Sequence, residues 1–99
     1  MGMNIEDLEK EFWKHVEIGR NLPKQAPDVM LIAYGYFKQA TEGDNGNPRP
    51  TENSDVVRTF MHDQWKRMEG TSADDAMRMY IEYIQYLETQ VKTSAPFTK

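Results

Sequence analysis

Apolar residues in this chain recur every three or four positions in four separate stretches, and nowhere alternate as a half-buried strand requires. Ile5, Leu8, Phe12 and Val16 mark the first stretch, from about Asn4 to Arg20, before Leu22-Pro23 breaks it. Pro27 stands where a first helical turn tolerates proline. Val29, Ile32, Ala33, Tyr36, Phe37 and Ala40 then gather on one side of a second helix, about Pro27 to Glu42. Gly43 is a natural stop. Residues 44–53, DNGNPRPTEN, are turn formers and polar residues, which predicts a long crossover and not a tight hairpin. A third helix is expected from Ser54 or Asp55 to just before Gly70, with Val57, Phe60, Met61, Gln64, Trp65 and Met68 as its inward stripe. The fourth opens on Ser72-Ala73-Asp74-Asp75, a start resembling a capping box. It continues through Ala76, Met77, Tyr80, Tyr83, Ile84, Leu87 and Val91 to about Lys92. The expectation is an all-α bundle of four helices forming one domain over 4–92, with 93–99 as a frayed tail.

Composition narrows the function. The 99 residues support one modest core. No cysteine is present, which excludes disulfides, thiolate catalysis and cysteine-ligated zinc. The net charge is −4 and the basic residues form no block, so no nucleic-acid partner is expected. No apolar run approaches the ~20 residues of a membrane span. The opening Met1-Gly2-Met3-Asn4-Ile5-Glu6 lacks the pattern of a secretory signal, and Glu6 departs from a myristoylation motif. A soluble, cytoplasmic protein is the expectation, and no heptad seam argues against a monomer.

Signals for catalysis are sparse. His15 and His62 fall in different helices with no nucleophile or metal spacing around them. Gly43 and Gly46 belong to no phosphate-loop pattern. Glu6, Asp7, Glu9 and Glu11 read as a solvated acidic opening, and Met68, Met77 and Met79 as core. Tyr34 and Lys38 are more informative, lying one turn apart on the flank of the second helix with Phe37 between them and the core. A phenol, a ring and an ammonium on one face can serve a ligand carrying both an aromatic base and phosphates. The same pattern also describes a core edge with a snorkelling lysine.

The stretch Tyr34-x-x-Phe37-Lys38-Gln39-Ala40-Thr41-x-Gly43-Asp44 resembles the signature of the acyl-CoA-binding proteins. The resemblance continues through Arg49-Pro50, Trp65-x-x-Met68-x-Gly70-Thr71-Ser72 and Ala76-Met77-x-x-Tyr80-Ile81, and spans about Leu8 to Val91. It implies a four-helix up-down-down-up bundle with a long crossover between helices two and three. The implied function is a carrier and buffer of long-chain acyl-CoA esters in lipid metabolism, with no cofactor and no reaction catalysed. Implied partners are acyl-CoA itself and, transiently, donor or acceptor enzymes or membranes. By resemblance, Tyr34 and Lys38 hold the 3′-phosphate region of CoA, and Phe37 takes the place of a tyrosine beside the adenine. Tyr80 is the head-group tyrosine, Arg20 the basic residue ending helix one, and Phe12 and Val16 lie near the acyl chain.

One position departs from the family pattern. A second phosphate-binding lysine on helix three falls at Met61 when counted back from Trp65, or at Phe60 when counted forward from Arg49-Pro50. Neither is basic. Arg58, one turn before Met61, is the candidate substitute. Two other readings remain open here: a helical interaction module that kept the fold and lost the ligand, and an enzyme acting on CoA esters.

Overall fold

Each helix begins where local chemistry can satisfy its exposed amides. The computed structural model describes residues 4–51 and 55–94. Helix α1 spans Ile5–Arg20, and the Asn4 side chain accepts from the Asp7 amide at 2.8 Å. Helix α2 spans Pro27–Glu42 without a side-chain cap; Pro27 itself, lacking an N–H, opens it. Helix α3 spans Val56–Lys66 and is capped by Asp55, which accepts from the Val57 amide at 2.8 Å. Helix α4 spans Ala73–Ser94, with the Ser72 hydroxyl accepting from the Asp75 amide at 3.1 Å. It runs two residues beyond the expected Lys92, and residues 95–99 of the expected tail lie outside the described residues. Among the described residues no strand occurs, and the fold is all-α.

The core gathers between α1, α2 and α4. Leu8, Phe12 and Val16 meet Ala40, Met68, Ala76, Met77, Tyr80, Ile84 and Leu87 there. Helix α4 packs on both α1 and α2, whereas α3 leans on α2 alone. That asymmetry corrects the expected inward stripe of the third helix. Trp65 and Met68 are buried, but Val57 and Phe60 remain 59% and 53% exposed, because no second helix covers that end of α3. Met79 likewise faces solvent while Met68 and Met77 enter the core.

The α2–α3 approach is close where α2 has no side chain. A Cβ on Gly35 would sit 2.9 Å from the Gln64 carbonyl oxygen, so only glycine permits this spacing. The crossover is held by side chains from both of its ends. Trp65 Nε1 donates to the Gly43 carbonyl at 2.7 Å, and Asn45 Nδ2 donates to the His62 carbonyl at 3.1 Å. Gln39, almost fully buried, donates to the Asp44 carboxylate and to the Thr71 carbonyl, both at 2.8 Å. Asp44 also accepts from the Gly70 amide at 2.9 Å. Arg49 grips Asp63 through two bonds of 3.0 and 3.1 Å. Thus Gln39, Gly43, Asp44, Trp65, Gly70 and Thr71, all within the signature stretches, tie the crossover and the α3–α4 turn to α2.

Candidate functional site

Helix α2 has neighbours on two sides, and the predicted site residues divide between its two flanks. On the α1–α4 flank a cavity of about 300 Å³ is lined by Val16, Ala33, Phe37, Tyr80 and other apolar residues, with Arg20 at its edge. Phe12 stacks beneath Phe37, with ring centroids 6.0 Å apart and planes 20° apart. Tyr80 approaches Phe37 at 6.3 Å, tilted by 57°. Burial pushes the Tyr80 phenol upward in pKa, with the Arg20 guanidinium pulling partly the other way. The hydroxyl therefore stays protonated and able to donate at any physiological pH.

On the α3 flank lies a groove of about 460 Å³ bounded by Pro27, Met30, Leu31, Tyr34, Val56, Val57, Phe60 and Met61. Apart from the Tyr34 phenol, every one of these side chains is a hydrocarbon or thioether. Tyr34 and Met61 also line an adjoining polar hollow of about 190 Å³, shared with Asn45, Asn47, Arg58, His62 and Trp65. Met30 in turn belongs both to this groove and to the α1–α4 cavity. The three depressions thus lie side by side around α2, the middle one apolar and one of its neighbours polar.

Lys38 points toward α3. Its ammonium lies 4.8 Å from the Trp65 ring centroid and 6.0 Å from that of Tyr34, and it pairs with Glu42. Arg58 is exposed at the rim of the polar hollow and makes no ion pair among the described residues. His62 is engaged, its Nε2 donating to the Asn47 carbonyl at 3.0 Å. His15 is buried and structural, its Nδ1 donating to the Glu11 carbonyl at 2.7 Å.

The structure brings Tyr34, Lys38, Arg58 and Met61 together on one flank and Arg20, Phe37, Tyr80 and Val16 on the other. Phe12 joins neither. It is 0% exposed, enclosed by Trp13, Phe37 and Tyr80, and offers a ligand no surface. Its ring stacks on Phe37. The groove residues Met30, Leu31 and Val56 are not singled out by the sequence, and Val57 is read there only as part of the inward stripe of α3. For α3 a signal was present, in a stripe more apolar than one partner helix can cover.

Among the described residues no group of three His, Cys, Asp or Glu side chains could hold a metal ion, and no helix is long and apolar enough to cross a membrane. The family model for acyl CoA binding protein matches residues 9–84. The acyl-CoA-binding protein of Gossypium hirsutum is 40% identical over 82 residues, covering 81% of this chain and 90% of its own length. Acyl-CoA-binding protein homolog 3 of Caenorhabditis elegans is 40% identical over 80 residues, covering 76% of this chain and 68% of its own. Among solved structures, Oryza sativa acyl-CoA-binding protein 2 superposes with a TM-score of 0.84 at 31% identity, covering 89% of this chain and 98% of that one. The ACBP from Moniliophthora perniciosa gives 0.78 at 35% identity, covering 95% and 89%. With a family model over most of its length and relatives matched in sequence and in fold, this chain belongs to the acyl-CoA-binding protein family.

Proposed function

We propose that this chain carries long-chain acyl-CoA esters in the depressions around α2 and leaves them chemically unchanged. The observation that carries the reading is adjacency: a groove walled by hydrocarbon shares Tyr34 and Met61 with a polar hollow beside two cations, Lys38 and Arg58. An acyl tail needs the first and a phosphorylated head group the second. In this reading the tail lies along Met30, Leu31, Val57 and Phe60. Tyr34, Lys38 and Arg58 meet the phosphate region, while Phe37, Tyr80 and Arg20 receive the base on the other flank. Sheltering a dozen methylenes would supply on the order of 10 kcal/mol before ordering losses, at ~0.8 kcal/mol each. Replacing a helix-three lysine by Met61 removes one charged hydrogen bond, roughly 10- to 150-fold in affinity. The tail term outweighs that loss, so binding persists with weaker discrimination between head groups.

The ester is cargo in this proposal, and the protein works as a cytoplasmic monomer that exchanges it with membranes or enzymes. Isothermal titration with a C16 acyl-CoA, beside free CoA and the free fatty acid, tests the reading. Tight binding of the ester alone, lost in Lys38→Ala and weakened in Arg58→Ala, is the expected result. Absence of heat, and of any melting-temperature shift with all three, would leave a helical module that kept the fold without the ligand. Loss of thioester during incubation would instead revive the enzyme reading.

A further inference from the structure

Two of the side chains walling the groove between α2 and α3 are thioethers, Met30 and Met61. Met30 is 57% exposed and Met61 only partly buried, so solvent reaches both side chains. Each is also shared with a neighbouring depression, Met30 with the α1–α4 cavity and Met61 with the polar hollow. The other described methionines are placed differently. Met68 and Met77 are buried in the core, and Met79 is exposed on α4, outside the groove. The remaining walls of the groove are hydrocarbon except for the Tyr34 phenol, its single side-chain hydrogen-bond donor.

A thioether is apolar enough to wall an acyl chain, yet its sulfur is open to oxidation. A hydroperoxide gives one oxygen to the sulfur: the O–O bond breaks, an S=O bond forms, and the rest of the peroxide leaves as water or an alcohol. The sulfur is oxidised to the sulfoxide and the peroxide is reduced. In an empty groove, water satisfies the new acceptor oxygen. A seated acyl tail expels that water, and one phenol cannot serve two such oxygens. The cost therefore falls on the complex and not on the free protein. We propose that Met30 and Met61 form an oxidation site for hydroperoxides, at which sulfoxide formation lowers the affinity of the groove for long acyl tails. Reduction reverses it: two thiols become a disulfide as the sulfoxide oxygen leaves as water. The proposal rests on the carrier reading, with the tail in this groove.

The test treats the full chain, free of ligand, with hydrogen peroxide, maps sulfoxides by peptide mass spectrometry and titrates palmitoyl-CoA before and after. A buried polar group without a partner corresponds to roughly 5- to 150-fold in affinity. Once Met30 and Met61 are converted and Met68 and Met77 are not, palmitoyl-CoA is expected to bind about tenfold more weakly. Methionine sulfoxide reductases acting on both epimers, with a dithiol as reductant, should restore the affinity. The double variant Met30→Leu, Met61→Leu, compared with itself before treatment, should keep its affinity through peroxide. Met79→Leu should lose affinity as the unaltered protein does. Should the double variant fail to fold, each single leucine variant should lose less than the unaltered protein. Full conversion of Met30 and Met61 without weaker binding, or equal weakening in the leucine variants, would overturn the oxidation site while leaving the carrier reading intact. Resistance of both thioethers to peroxide that converts Met79 would do the same. Failure of the untreated protein to bind palmitoyl-CoA would overturn the carrier reading and this inference with it.

Discussion

Single side chains here divide into those sealed in the core and those that line a depression, and a few, such as Tyr80, do both. Phe12, fully enclosed, belongs to the first class. Its truncation to alanine should destabilise the protein by about 3–5 kcal/mol, a large part of the stability of a small domain, and thermal melts would register it. Gly35 is a second structural position, and two effects of its replacement oppose one another. Alanine in a helix interior is favoured over glycine by about 1 kcal/mol. Its Cβ would, however, meet the Gln64 carbonyl at 2.9 Å, and backbone cannot swing aside as a side chain can. The steric term wins, and Gly35→Ala should be net destabilising by about 1–3 kcal/mol with a correspondingly lower Tm. At Gly19 the nearest atoms are the ends of the Tyr80 and Ile84 side chains, so alanine there should be tolerated far better. In the proposed site Lys38 meets the phosphate region, and Glu42 competes for its charge. Glu42→Gln should strengthen acyl-CoA binding by a few-fold, as expected for removing an exposed competing carboxylate, and calorimetry at low salt would reveal it.

Between elements, the crossover is secured by polar side chains, and those side chains make its stability depend on acid. Arg49 holds the Asp63 carboxyl down to about 2, from an ordinary 3.8, with His62 assisting. The Gly70 amide and Gln39 lower Asp44 in the same direction. Both carboxyls are held below the unfolded value, so each contribution is present above 3.8 and is lost as pH falls through the folded value, about 2 for Asp63. The melting temperature should therefore decline across that interval. Asp63→Asn should flatten part of the decline, whereas an unchanged acid limb in that variant would show that the Arg49 pair does not set it. Trp65 couples the same clamp to the site, donating to Gly43 while its face underlies the Lys38 ammonium. A shift of the crossover would move the cation as well.

Over the whole molecule, the decisive feature is unequal coverage: α4 has two helical neighbours and α3 has one. The apolar groove beside α2 follows from it, since the uncovered face of α3 is left apolar and open. Val57→Asp and Phe60→Asp should change stability little, because both residues are more than half exposed in the folded state. They should nonetheless weaken binding of C16 acyl-CoA and spare short-chain esters, which titration across chain lengths would separate. Equal loss for short and long chains would argue that the tail lies elsewhere, with the α1–α4 cavity the next candidate.

Much of this fold is legible in the sequence. Spacing by three and four, the capping start at Ser72 and the breaks at Pro23 and Gly43 are local signals that place four helices, although α3 ends at Lys66, short of the expected end just before Gly70, where the chain already enters a turn. Tyr34 and Lys38, one turn apart, were bound to share a flank because helix geometry allows nothing else. What a periodic stripe cannot state is which neighbour covers it. Phe12 and Phe60 occupy equivalent places in their patterns, yet one is sealed and the other half open. Which neighbour Phe37 and Lys38 each meet on the two flanks of α2, and the opening of the groove beside Phe60, were decided by how helices pack. Local sequence determines which face of a helix is apolar; only the arrangement of the other helices determines whether that face becomes core or a place for a ligand.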